Sequence, residues 1–411
     1  MHMSSFFKNY SGITLLLAGI TLGSICGVVF GKQAEMLKPV GDIFLNLLFV
    51  AVIPLVFFVI SSAIANIEGG QKLNRILSIM ILVFLGTLVM AALLTITAVS
   101  IFPVDQQVFN NGQSAVEEGS KKLTGDAITQ LFTTGEFYLL LSRKNMLALI
   151  IIAILVGFGT LRSGEQGLAF KSFLNSANEV FKNVFIIIMK AGPVGLGAYF
   201  AYQVAVFGPE LFGTYAHILG IGYGVSIFYY IVFFTLYAFI AGGAKGIQRY
   251  WKNNIVPSVT AVATCSSIAT IPANLAAAKK MGVNDVIAGI TVPLGATLHK
   301  DGSSVSSILK MTVVFAMFGR SFDSAEVILL ALAITVLVSM VEGGIPNGGY
   351  IGELLFISAY GFPPEALPPA IIIGTLIDPI ATLLNATGDT VASMMVNRFA
   401  EGKNWFQKQA A

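Results

Sequence analysis

Apolar residues in this chain are arranged in long blocks rather than in the short periodic faces of a soluble domain. The blocks run Ile13–Phe30, Ile43–Ile67, Ile76–Phe102, Met146–Leu161, Phe173–Phe207 and Tyr215–Ala244. About 20 apolar residues are needed to cross the hydrocarbon core of a bilayer as a helix, so these blocks predict six membrane spans. The polar stretch from Pro103 to Asn145, which holds the longest charge run, reads as a solvated loop. Beyond about residue 250 the pattern changes. The apolar stretches shorten and are broken by glycine, proline and serine, as in PSVTAVATCSSIATIPANLA (Pro257–Ala276) and MVEGGIPNGGYIG (Met340–Gly352). Each break is flanked by runs too short to span twice, which predicts a re-entrant helical hairpin. Irregular backbone at membrane depth is tolerated only where protein buries it or where it lines a watery cavity.

Between the two predicted hairpins, the apolar runs Val286–Val292 and Ile308–Phe318 flank PLGATLHKDGSSVSS (Pro293–Ser307). Together they predict one membrane helix interrupted in its middle, with His299, Lys300 and Asp301 deep in the membrane. A last span is expected from about Pro369 to Val396. The expected fold is therefore an all-α integral membrane protein of eight transmembrane helices plus two re-entrant hairpins. Paired interruptions of this kind point to a transporter's binding site near the midplane.

Composition supports the membrane class. Of 411 residues, 55% are hydrophobic and 11% charged, against about a quarter charged in soluble domains. A net charge of +3 without a basic patch gives no footprint for nucleic acid. Cys26 and Cys265 both lie in apolar stretches and predict neither a disulfide framework nor a metal site. The first apolar block lacks a following small-residue cleavage site and reads as a retained helix. Gly19, Gly23 and Gly27 recur every four residues in it, a spacing that either lets another helix approach closely or reflects glycine abundance alone. Eight crossings put both termini on one side, and Lys8, Lys72, Arg75, Arg398, Lys403 and Lys408 make that side cytoplasmic.

Ionisable groups inside a membrane must face protein, water or a partner, and so mark functional sites. In the last span Asp378, Thr382, Asn385 and Asp389 are spaced by four, three and four residues, which puts them on one helical stripe. Pro379 follows Asp378 and removes a backbone donor there. No nucleophile and base are paired by spacing, which argues against an intramembrane enzyme.

The serine hairpin CSSIATIP, the PLGAT…DG interruption, the GGIPNGG tip and the NATGD ending, in this order, resemble the dicarboxylate/amino acid:cation symporters, the glutamate transporter family. PLVFFVISSAIA in the second span and NMLALIIIAILVGFG extend the resemblance over nearly the whole chain. It implies a homotrimer in an inner membrane, whose protomers each move a transport domain like an elevator against a scaffold. By that resemblance residues 1–75 and 103–207 are mainly scaffold and carry trimer contacts, whereas 76–102 and 208–411 form the transport domain. The latter would hold hairpin 1 (about 250–280), a broken helix (about 283–318), hairpin 2 (about 324–358) and a last helix (about 363–399).

The resemblance also implies roles. Asp378 would receive a substrate amino group and Asn385 the main carboxylate, with Thr382 beside them. The backbone around Ser266 and Ser267, and around Gly343 and Gly344, would complete the carboxylate site, and Ser303 would lie near the substrate side chain. Asp389 with carbonyls of Gly295, His299 and Asn385 would form one Na+ site; Thr297, Ser339 and Met340 would form a second. Apart from Na+, no cofactor is expected.

Departures from the family pattern are specific. The arginine that binds a distal carboxylate in members taking acidic amino acids is replaced by Ala381, and the arginine some members carry in hairpin 1 by Cys265. Without a guanidinium there is no evident bidentate donor. A small neutral amino acid is therefore the expected substrate, a dicarboxylate or acidic amino acid the alternative, and an ion channel the rival from another class. Where the family has NMDGT, this chain has HKDGS, and Glu342 stands where a threonine is common. A lysine and a glutamate arriving together predict a Lys300–Glu342 pair in place of one cation site; Asp301, Asp378 or a watery vestibule are the other destinations for Lys300. His299 is expected either to hydrogen-bond Asp301 or to couple proton movement, with Thr87 the main hydroxyl from the third span, and the cation site at Asp301 to be altered.

Overall fold

The computed structural model describes residues 3–66, 71–104, 129, 133–142, 145–207, 211–341, 349–402 and 405. The described residues are all-helical, with no strand among them. Most of the polar stretch 103–145, residues 342–348, expected from the sequence at the tip of the second hairpin, and Lys403 and Lys408 lie outside them.

The chain begins with α1 (Met3–Phe30), α2 (Lys38–Ala65) and α3 (Gln71–Ile101). Next come α4 (Met146–Arg162), α5 (Leu168–Met189) and α6 (Gly192–Phe207). The apolar block read as one span over Phe173–Phe207 is in fact two helices, bent by 53° at their junction. Gly192 and Pro193 open the second of them, and a proline at a helix start lacks only a donor that would have no partner anyway. α7 (Leu211–Phe228) runs through a π-helical turn, Tyr229–Phe233, into α8 (Phe234–Asn253). By length and hydropathy alone, three described helices pass as full spans, or four with the bent pair counted as one.

The first hairpin is α9 (Ile255–Thr264) and α10 (Ser267–Met281). Its reversal needs one residue in the left-handed region. Cys265 takes it at φ 46°, the only described residue other than glycine with a positive φ. Ser266 then caps α10, its side chain accepting from the Ala269 N–H at 3.2 Å. Gly282 (φ 89°) ends α10, and Asn284 caps α11 (Asp285–Leu298) by accepting from Val286 N at 2.9 Å. After a break comes α12 (Asp301–Met317), then α13 (Ala325–Val341) and α14 (Gly349–Ala359), which pack together as the second hairpin. α15 (Leu367–Glu401) is last and continues through Pro379.

The interruption is much narrower than the sequence pattern suggests. Pro293 lies inside α11 and Ser303–Ser307 inside α12, so only His299 and Lys300 leave the helical conformation, with φ/ψ of −119°/105° and −135°/67°. Burial is the reason: every residue of α12 except Ser303 is buried, and in that setting the helix satisfies backbone groups that nothing else nearby would.

Two packing groups emerge. α1 lies along α6, and α2 packs on α4, α5 and α6. The second group is centred on α15, which touches α3, α7 to α12 and α14, and the two groups meet where α15 touches α6, α14 touches α2 and α4, α13 touches α2 and α1 touches α9. Large apolar side chains such as Leu22, Val29, Leu82 and Phe239 point outward, as a bilayer solvent permits.

The glycine spacing in α1 is a packing device. A Cβ on Gly19 would penetrate the Pro193 carbonyl, one on Gly23 the Gly197 carbonyl, and one on Gly27 would lie 2.6 Å from the Ala201 oxygen. The backbones of α1 and α6 thus meet directly. Gly23→Val should lower stability by about 1–3 kcal/mol, read as a fall in the thermal midpoint of the purified protein; an unchanged midpoint would show that the two helices do not need this contact.

Candidate functional site

At the break, His299 and Lys300 point to different partners. The fully buried His299 ring places Nδ1 3.0 Å from Asp389 Oδ1 and Nε2 2.7 Å from Thr87 Oγ1. Asp301 Oδ1 is also 3.2 Å from Nε2, but off the hydrogen-bonding line. The ring lies flat on Phe84 of α3, with centroids 4.3 Å apart and planes at 17°. Tyr229, carried by the π-helical turn, donates to the Thr87 carbonyl at 2.9 Å and lies 3.0 Å from the Tyr237 hydroxyl. Such turns often aim side chains at functional sites. Phe84 and Tyr229 carry no polar motif, and only contact geometry brings them in.

Lys300, also buried, donates from Nζ to Ser267 Oγ at 2.9 Å, so the break reaches the tip of the first hairpin. Glu342, its expected partner, lies outside the described residues, as do Gly343 and Gly344. Only the backbone of Met340 is described, in the last turn of α13. Ser339 is buried there; its hydroxyl donates to the Thr335 carbonyl at 2.9 Å and lies 3.5 Å from Ser304 Oγ. Thr297, in the last turn of α11, donates to the Leu294 carbonyl at 2.9 Å.

Asn385 and Asp389 of the polar stripe of α15 meet this break. Asn385 Oδ1 accepts from the Gly302 N–H at 2.8 Å and the Ser303 N–H at 3.2 Å, and its Nδ2 donates to Ser303 Oγ at 3.4 Å. One amide side chain thereby takes up two of the donors that α12 leaves open at its start. Thr382 donates to Asp378 Oδ1 at 3.3 Å, and Asp389 meets His299. Ala381 is buried because its backbone touches Gly302 so closely that a Cβ on the glycine could not fit. Gly295 abuts Asp389 in the same way, and its carbonyl accepts the His299 N–H at 2.9 Å. Cys265 and Ser266 form the tip of the first hairpin, next to Ser267.

A second charged contact escapes the sequence reading. Lys310 of α12 and Glu353 of α14 form a buried ion pair at 2.9 Å. Gly374 of α15 makes room for it, since a Cβ there would lie 2.8 Å from both Glu353 Oε1 and Lys310 Cε. Opposite charges in the apolar stretches SILKMTVVF and GELLF were its only trace in the sequence. Removing one member of a buried pair strands the other charge, whereas replacing both with apolar groups is often nearly neutral. Glu353→Gln should therefore cost about 3–5 kcal/mol, and Lys310→Met with Glu353→Met together should recover most of it in thermal unfolding.

The profile of the sodium:dicarboxylate symporter family matches residues 13–399 of this chain. The proton/sodium-glutamate symport protein of Bacillus subtilis (strain 168) is 25% identical over 399 residues, covering 94% of this chain and 92% of that protein. The C4-dicarboxylate transport protein of Deinococcus radiodurans is 24% identical over 402 residues, covering 93% and 88%. The proton/sodium-glutamate symport protein of Bacillus caldotenax is 25% identical over 400 residues, covering 93% of each. With the family profile running from the first helix to the end of α15, this multi-pass, all-helical membrane chain belongs to the sodium:dicarboxylate symporter family.

Proposed function

We propose that this protein is a cation-coupled secondary symporter of a small neutral amino acid, bound between the first hairpin tip, the His299–Lys300 break and the polar stripe of α15. The features that carry this reading are a buried ammonium at the first hairpin tip and a carboxylate on the α15 stripe whose Asn385 and Asp389 meet the break. Lys300 brings an ammonium to Ser267 at the hairpin tip, and Asp378 brings a carboxylate on the stripe that also holds Asn385. A zwitterion offers a carboxylate to the first and an ammonium to the second. Asn385, held by the Gly302 and Ser303 N–H groups, keeps its Nδ2 on the same side as Ser303 Oγ. The absence of a guanidinium at Ala381 and Cys265 leaves no planar donor for a second carboxylate.

The two packing groups support an elevator cycle, in which the α15-centred group moves as a unit against the group built on α1, α2 and α4–α6. The family resemblance supports a homotrimer assembled through the latter, in an inner membrane with both termini cytoplasmic. Coupling follows if the second hairpin closes only when solute and cation are both bound or both absent, which requires that they bind the two states with different affinity. The family's name and those of the relatives supply the cations, Na+ and H+.

A C4-dicarboxylate or acidic amino acid is the second reading. It is favoured by the relatives' names and by the Lys300 ammonium, which could take one carboxylate without an arginine. A thermal-shift panel of neutral amino acids, aspartate, glutamate and C4-dicarboxylates separates the two, because a ligand stabilises the state it binds. The first reading predicts stabilisation by a neutral amino acid that Asp378→Asn abolishes. Stabilisation by a C4-dicarboxylate that survives Asp378→Asn would replace it with the second.

A further inference from the structure

Asp301 and Asp389 are two carboxylates with no solvent exposure, and the His299 ring spans the gap between them. Asp301 Oδ1 lies 3.2 Å from His299 Nε2, and by strict geometry Asp301 Oδ1, Asp301 Oδ2 and Asp389 Oδ2 accept no hydrogen bond from the described residues. By composition this is a place for a cation. A hard monovalent or divalent cation is held by a shell of oxygens, on the order of six, and an imidazole nitrogen belongs to softer metals.

The ring leaves no room for such a shell. Phe84 covers one of its faces. At its edge is Gly388, where a Cβ would stand 3.3 Å from His299 Cε1 and 3.3 Å from Asp301 Oδ2. Gly295 presses on Asp389 from α11. Thr87 Oγ1, a further oxygen on this pocket, is already engaged by Nε2 at 2.7 Å and donates to the Phe84 carbonyl at 3.1 Å. Asn385, one turn away on α15, has its amide oxygen committed to two backbone N–H groups.

We infer that His299 is a built-in occupant of the position between Asp301 and Asp389, so that this chain binds no sodium ion there and any coupling cation it takes is bound elsewhere. The inference rests on the symporter reading and sharpens it. A covalently attached ring is present at every sodium concentration, so this carboxylate pair cannot report the gradient. Cation dependence must then come from another position.

The test is the Na+ dependence of the thermal midpoint of the full-length purified protein, titrated from about 1 to about 100 mM against choline at constant ionic strength, because a bound cation stabilises the state that holds it. Wild type, Asp301→Asn, His299→Asn and the double variant are compared. The inference expects the Na+ response of the wild type, whatever its size, to be unchanged by Asp301→Asn. It expects His299→Asn, which vacates the ring and adds an amide oxygen, to gain an Na+-dependent rise of a few degrees that Asp301→Asn removes. A wild-type Na+ response that Asp301→Asn abolishes would overturn it, as would a folded His299→Asn protein that gains nothing. Should His299→Asn fail to fold, the comparison of wild type with Asp301→Asn decides alone. Stabilisation by solute in choline, read on the same wild-type samples, reports separately on the symporter reading.

Discussion

A helix interrupted inside a bilayer exposes backbone donors and acceptors that lipid cannot satisfy, and a charged residue placed there adds a desolvation cost. This protein interrupts one helix for only two residues, His299 and Lys300, and a cluster of buried polar side chains is arranged around that gap. Asn385 takes the first N–H groups of α12, His299 turns to Asp389 and Thr87, and Lys300 turns to Ser267. Four separate segments, α3, α10, the break itself and α15, are tied together by these contacts. Loss of any one would leave a buried polar group without its partner, which is why the gap both requires and defines the surrounding architecture.

The rest of the packing serves this arrangement. α15 can cross the start of α12 closely because Gly302 presents no Cβ to the Ala381 backbone, and it approaches α11 because Gly295 presents none to Asp389. The Lys310–Glu353 pair, seated on Gly374, fastens α14 of the second hairpin to α12 well away from the break. Buried ion pairs contribute little net stability but penalise alternative arrangements that separate their members. On the other side of the molecule, α1 and α6 meet backbone to backbone at Gly19, Gly23 and Gly27. The elevator reading draws on this contrast between the directly packed α1 and α6 and the group centred on α15.

Much of this was legible in the residues. Glycine and serine clusters between short apolar runs located the first hairpin, and the four-three-four spacing from Asp378 to Asp389 located the stripe that meets the break. What local pattern could not supply was distance across the fold. The interruption is shorter than the pattern of breakers suggests, because Pro293 lies within α11 and Ser304–Ser307 are helical in the buried α12. The bend at Gly192 and Pro193 was hidden inside a continuous apolar run. His299 has Asp301 as its expected neighbour by sequence and lies 3.2 Å from it, but it also reaches Asp389, ninety residues along the chain. Lys310 and Glu353 were invisible for the same reason: a long-range pair leaves no periodicity.

The central claim is that solute binds at the His299–Lys300 break in a carrier cycle, and counterflow in proteoliposomes tests it most directly. Vesicles preloaded with an unlabelled neutral amino acid, diluted into trace labelled amino acid, should accumulate label transiently and saturably, and Asn385→Ala should abolish that accumulation. Ion flux across the same vesicles without any solute exchange would contradict the account and make the protein a channel.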